Sequence, residues 1–236
     1  MITLCGFAVS NYFNKVKLAM LEKRVWFDVE RVKTGSTDPA VLAASPLGKI
    51  PYLKTENGSL CESQVILEYL EAEYPEPPLL PADPALRAQV LLLEDWADTA
   101  LAAGARLALV QAAAADPVLR AGLLPEATPA PLRSLTAALP ADLLRGVGQV
   151  IDHGGLEQLR RNLDQLCSLV QVRSHLVGDA LSLADLAVMG QLSLLRFPES
   201  AGAPLAGRGV PGLADDPQLA PLWAWRDRLG AQLGRP

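Results

Sequence analysis

The sequence predicts two domains of different class, an α/β domain over residues 1–77 and an all-helical domain over residues 85–236, with a linker at 78–84 between them. Three observations carry this. The first eighty residues alternate β-rich runs with runs of helical period. The stretch YPEPPLLPADP (74–84) holds five prolines in eleven residues, and proline, which lacks an N–H donor, resists helix and leaves an extended link. Beyond about residue 85 Ala and Leu, the best helix formers, become abundant, while aromatic residues stay at 5% of the chain. A chain of 236 residues is comfortable for two cores.

The elements follow in order. ITLCGF (2–7) is a short β-rich run. From Ser10 the period becomes helical, with Phe13, Val16 and Met20 on one face and Lys15 and Lys17 expected to reach water. WFDVERV (26–32) alternates and reads as a second strand. SPLGKIP (45–51) is a loop, PYLKT (51–55) a short strand, and Asn57-Gly58 a hairpin turn signal ahead of SLC (59–61). A helix resumes at Ser63, with Val65, Ile66, Tyr69 and Leu70 as its apolar stripe. Strand–helix–strand, loop, strand–strand–helix is the order of a thioredoxin-like domain. The fold class expected is therefore an α/β thioredoxin-like N-terminal domain plus an all-α C-terminal domain. In the latter, Leu86, Val90, Leu93, Ala97, Ala100 and Gly104 recur at intervals of four and three, which marks a long helix with a packed stripe. Prolines 117, 125, 129, 131 and 140 break the next stretch into short helical pieces. Residues 156–172, 182–195 and 219–233 each read as a helix.

Composition excludes some classes of function. The net charge of −5 argues against nucleic acid, which needs clustered Lys and Arg to displace counterions. No uncharged apolar stretch reaches the roughly 18 residues of a membrane span, and the N-terminus lacks the pattern of a secretory signal. Cys5, Cys61 and Cys167 lie far apart without metal-like spacing, which suits a reducing cytoplasm and predicts no metal.

Four local signals carry chemistry or imitate it. Ser10 stands where the first strand hands over to the first helix. A helix start collects free N–H groups and stabilises an anion such as a thiolate, to whose sulfur a serine hydroxyl can donate. The same position serves equally as a stabilising N-cap. Pro51, between loop and strand, is a candidate cis proline that would expose the backbone of Ile50 for pairing with an extended peptide. A trans proline opening a strand is the plainer alternative. Glu62-Ser63 precedes a helix and suits an ammonium and a carboxylate together, or simply caps the helix. Ser182 and Asp185 form a reciprocal cap, a folding signal without chemistry.

In this order and spacing the chain resembles the cytosolic glutathione transferases, and among them the serine-type bacterial branch. The residues that carry the resemblance are Ser10 to Val16, Pro46-Leu-Gly-Lys-Ile-Pro51, Glu62-Ser63, the proline-rich linker, and Ser182 to Asp185 with Val177-Gly178-Asp179 ahead of them. It covers residues 1–112 and 154–196. The resemblance implies glutathione as co-substrate, with Ser10 donating to its sulfur and Ile50 pairing with the cysteinyl part beside cis-Pro51. Glu62 and Ser63 would hold the γ-glutamyl end, and Lys49 the glycyl carboxylate. A small electrophilic or apolar second substrate would lie near the long helix carrying Trp96 and Arg106, in a cytoplasmic homodimer. Asn11 stands where many relatives have proline, and residues 117–150, rich in leucine, exceed the family's usual length. Cys61 reads as a small strand residue; disulfide chemistry would need a Cys at the helix start. The competing function is a protein that keeps the fold to bind an apolar ligand or a protein partner.

Overall fold

The computed structural model describes residues 2–32, 38–124, 131, 134, 136 and 154–233. Four short strands form one sheet in the order β2-β1-β3-β4. They are β1 (Thr3–Gly6), β2 (Asp28–Arg31), β3 (Tyr52–Thr55) and β4 (Gly58–Cys61). β1 runs parallel to β2 and antiparallel to β3, which is antiparallel to β4. The strand period of two sorts the side chains between two cores. Leu4 and Leu53, opposite in register, pack into the main core with residues of α1 (Asn11–Glu22) and α3 (Ser63–Glu73). The next pair, Cys5 and Tyr52, joins Val32 and Val41 in a smaller core on the other face. Val41 belongs to α2 (Pro39–Ala44), a helix absent from the expected order. Its start is local: the Asp38 carboxylate accepts from the Ala40 N–H at 2.9 Å, and Pro39 opens the first turn.

In the helical domain, α4 (Pro84–Trp96) and α5 (Ala102–Ala115) are joined by a π-helical turn, Ala97–Leu101. Then come α6 (Pro117–Gly122), α7 (Gly155–Val172), α8 (Leu183–Leu192) and α9 (Ala220–Gln232). All ten residues of α8 are buried, as a helix apolar nearly all round must be. Its one acid, Asp185, accepts from the N–H groups of Leu176 and Ser182, each at 2.8 Å, and from the Ser182 hydroxyl at 2.9 Å. Burial nonetheless pushes the Asp185 carboxyl above the usual carboxylate range. The fold is thus a thioredoxin-like α/β domain followed by a helical domain. No described helix is long and apolar enough to cross a membrane.

Several expected faces are corrected. Lys15 is fully buried instead of reaching water, because the side of α1 opposite the sheet is covered by α8 and α4. Val65 is 43% exposed, and the buried stripe of α3 is Ile66, Leu67 and Leu70. Ala100 is exposed, and Leu101 takes its place in the core, because the π turn inserts one residue into the helical phase. The β3–β4 turn is centred on Glu56-Asn57, while Gly58 pairs with Thr55 as the first residue of β4 at φ +127°. Of the leucine-rich segment 117–150, Leu119 is buried in the main core. Leu132, Leu135, Leu139, Leu143 and Leu144 lie outside the described residues.

Candidate functional site

A cleft of about 1000 Å³ opens between the two domains. Its sheet-side wall comes from three separated stretches: Ser10 and Tyr12 at the start of α1, Leu47 to Pro51 before β3, and Glu62 to Val65 at the start of α3. Asp98, Leu109 and Leu194 close it from the helical domain. Ser10, Lys49, Ile50, Pro51, Glu62 and Ser63 therefore all line one cavity.

Each position has a local cause. The Ser10 hydroxyl accepts from the Phe13 N–H at 3.3 Å, so the N-cap reading is correct as far as it goes. That bond uses an oxygen lone pair and leaves the hydroxyl proton free to donate. The N–H groups of Asn11 and Tyr12 open the same helix, where the partial positive charge collects. The Ile50–Pro51 peptide is cis, with Pro51 buried and Ile50 half-buried. Glu62 precedes α3 with φ +70°, a backbone region costly for any residue with a side chain and concentrated at ligand clamps. The Lys49 ammonium donates to the Glu62 carboxylate at 2.9 Å, and both side chains are more than half exposed. Such a pair contributes about 0–1 kcal/mol and is readily exchanged for other charges. The Cys61 thiol donates to the Ala44 carbonyl at 2.9 Å, which ties β4 to α2.

Behind Ser10 lies a polar network that sequence reasoning did not find. The Asn11 amide donates to Gln191 of α8, and the Gln191 amide donates to the Asp98 carboxylate at 2.9 Å. The other Asp98 oxygen accepts from the Lys15 ammonium, which also donates to Glu94 at 2.8 Å. Asn11, the departure from the expected proline, is thus a link between α1 and the helical domain. Tyr12 also went unread: its hydroxyl donates to the Asp98 carbonyl at 2.9 Å and accepts from Arg106 at 3.2 Å. No short-range pattern announces any of these contacts, since the partners lie far apart in the chain. Among the described residues no cluster of three or more His, Cys, Asp or Glu could hold a metal ion.

With this geometry in hand, the likeness to known proteins is specific. Residues 4–78 match the family described as glutathione S-transferase, N-terminal domain. A glutathione S-transferase of Pseudomonas putida is 50% identical over 90 residues, a stretch that covers 38% of this chain and 40% of that relative's length. FtsZ-localized protein A of Caulobacter vibrioides is 31% identical over 199 residues, covering 83% of this chain and 77% of the relative. Among solved structures, a glutathione S-transferase from Rhodospirillum rubrum is 26% identical with a TM-score of 0.69, over 100% of this chain and 89% of its own. One from Methylobacterium radiotolerans, in complex with glutathione sulfonate, is 25% identical with a TM-score of 0.59, over 98% and 91%. The chain belongs to the cytosolic glutathione S-transferase family.

Proposed function

We propose that the chain is a serine-type glutathione transferase that works as a cytoplasmic homodimer. The observation that carries this reading is the convergence of Ser10, Ile50, Pro51 and Glu62-Ser63 on one cleft, at two helix starts and a cis proline. The Ser10 hydroxyl donates to the glutathione sulfur. Together with the N–H groups opening α1, it lowers the thiol pKa from about 8.5, so that thiolate is present at neutral pH. The backbone of Ile50 pairs with the cysteinyl part. Ser63 and the start of α3 hold the γ-glutamyl carboxylate, and Glu62 holds its ammonium. Lys49 takes the glycyl carboxylate, so the exposed Lys49–Glu62 pair is exchanged for two pairs with the ligand. The sulfur then attacks an electrophilic carbon held against Leu109 and Leu194.

Calorimetry and turnover on two variants test the assignment. Ser10→Ala lowers turnover with a smaller change in glutathione affinity. Glu62→Ala weakens affinity by about 1.5–3 kcal/mol, the worth of a charge-assisted bond. Equal small effects from both would sink it.

A second reading is favoured by the length of the likeness to FtsZ-localized protein A, whose name gives a location on a protein and no reaction. On that reading the fold is kept to bind a partner or an apolar ligand. Absence of any glutathione binding at millimolar concentration decides for it.

A further inference from the structure

We propose that Arg106 makes the cleft selective for electrophiles that carry a carboxylate, an inference that rests on the transferase reading above. Arg106 lies on α5 one turn before Leu109, and residues three apart share a helix face. Leu109 lines the cleft, so Arg106 stands at its rim. Its Nη1 donates to the Tyr12 hydroxyl at 3.2 Å, and that hydroxyl spends its own proton on the Asp98 carbonyl at 2.9 Å. Tyr12 and Asp98 both line the cleft. The guanidinium is thereby anchored beside the second-substrate wall through a neutral oxygen.

Of the three acids that line the cleft, two are paired with lysines and the third accepts from a neutral amide. Glu62 is paired with Lys49, Glu68 accepts from the Gln64 amide at 3.3 Å, and Asp98 is held by Lys15 and Gln191. Some guanidinium groups of the helical domain find carboxylates, as Arg160 meets Asp216, Arg161 meets Glu157, and Arg208 meets Asp116, while Arg173 and Arg228 donate to backbone carbonyls instead. Arg106 makes no ion pair among the described residues, although the chain has 26 acidic residues and a net charge of −5. A guanidinium offers five donors in a planar fork, and one is used on Tyr12. The rest suit bidentate capture of a carboxylate. With Leu109 and Leu194 as apolar walls, the fitting substrate has a flat apolar body. Its reactive carbon lies toward Ser10 and its carboxylate toward Arg106.

The test uses two aryl chlorides of similar shape that differ in charge at one substituent, 4-chloro-3,5-dinitrobenzoate and its neutral amide, with each kcat/KM divided by the rate constant of the uncatalysed reaction with glutathione to remove their difference in intrinsic reactivity. In each, the glutathione thiolate forms a C–S bond at the ring carbon bearing chlorine, chloride leaves with the bonding pair, and the thiol proton passes to solvent. The wild-type chain is expected to favour the benzoate over the amide by about tenfold or more in kcat/KM, mostly through KM, as loss of one charge-assisted contact implies. In Arg106→Gln the ratio falls to about one, and Arg106→Lys, a point charge without the fork, keeps part of it. Because the readout is a ratio within each variant, a general loss of activity does not imitate it. A wild-type ratio near one, or a ratio unchanged in Arg106→Gln, overturns the proposal. Failure of the wild-type chain to turn over even the amide overturns the transferase reading, and this inference with it.

Discussion

The Lys15 ammonium lies 2.8 Å from the Glu94 carboxylate at the boundary between the two domains, with Lys15 fully buried and the Glu94 side chain 9% exposed. Asp98, aimed by the π turn, is its second partner. One cation therefore binds the first helix of the sheet domain to the first long helix of the next.

Removing that cation leaves two carboxylates facing one another without a counter-charge. Lys15→Met is expected to cost about 3–5 kcal/mol of unfolding free energy, the range for breaking a buried ion pair from one side. Urea denaturation measures it. A loss below about 1 kcal/mol would mean that the pair behaves like a surface one.

Gly190 permits the close crossing of α1 and α8. A Cβ there would stand 2.9 Å from Lys15 Cβ and 3.0 Å from the Asn11 carbonyl oxygen, neither of which can swing aside. Gly190→Ala should destabilise by about 1–3 kcal/mol, as overpacking does, and should weaken glutathione binding by displacing the start of α1. Gly230 in α9 is the contrast, since its added Cβ would meet only Met189 Cε, at 3.8 Å. Gly230→Ala should be neutral or stabilising by up to about 1 kcal/mol. Thermal melts of the two variants separate the cases.

Burial pushes the Cys5 thiol up to about 11, with the Glu30 carboxylate adding to the effect. In the folded protein at pH 8 Cys5 stays protonated and resists alkylation, while the half-buried Cys61 is modified first. The sign for stability follows. The unfolded thiol ionises before the folded one, so the contribution is present below the ordinary thiol value and is lost as pH climbs toward 11. Mass spectrometry after iodoacetamide reads the first effect. A flatter alkaline limb of stability in Cys5→Val reads the second.

Much of the fold is legible because its causes are local. Period-two strands put Leu4 and Leu53 on one face and Cys5 and Tyr52 on the other, and SLADLAVMGQL announces a buried helix. Asp38-Pro39 carries an equally local start signal for α2, which the expected strand–helix order passes over. The cleft was legible at Ser10, Ile50-Pro51 and Glu62-Ser63, where turn and cap chemistry sits in short strings, while Lys49, which also lines it, was marked by the family resemblance alone. Lys15 was not, because periodicity sends a lysine opposite an apolar stripe to water unless the second domain is known to cover it. Its partners are remote, and the π turn that presents Asp98 leaves no mark in a run of helix formers. The contact of Tyr12 with Arg106 escaped for the same reason, the two being 94 residues apart in the chain.

The π turn also has a consequence for how this cleft can vary. Each residue advances a helix by about 100°, so the inserted one sets the phase of α5 independently of α4. The two segments act as differently keyed wheels on one shaft, with the Lys15 lock on the first and Arg106 and Leu109 on the second. Deleting a single residue between Ala97 and Leu101 would leave a continuous helix of good formers and the upstream Glu94 contact in place. It would also turn Arg106 and Leu109 away from the cleft, recasting its helical-domain wall without touching Ser10, Ile50, Glu62 or Ser63 on the other side.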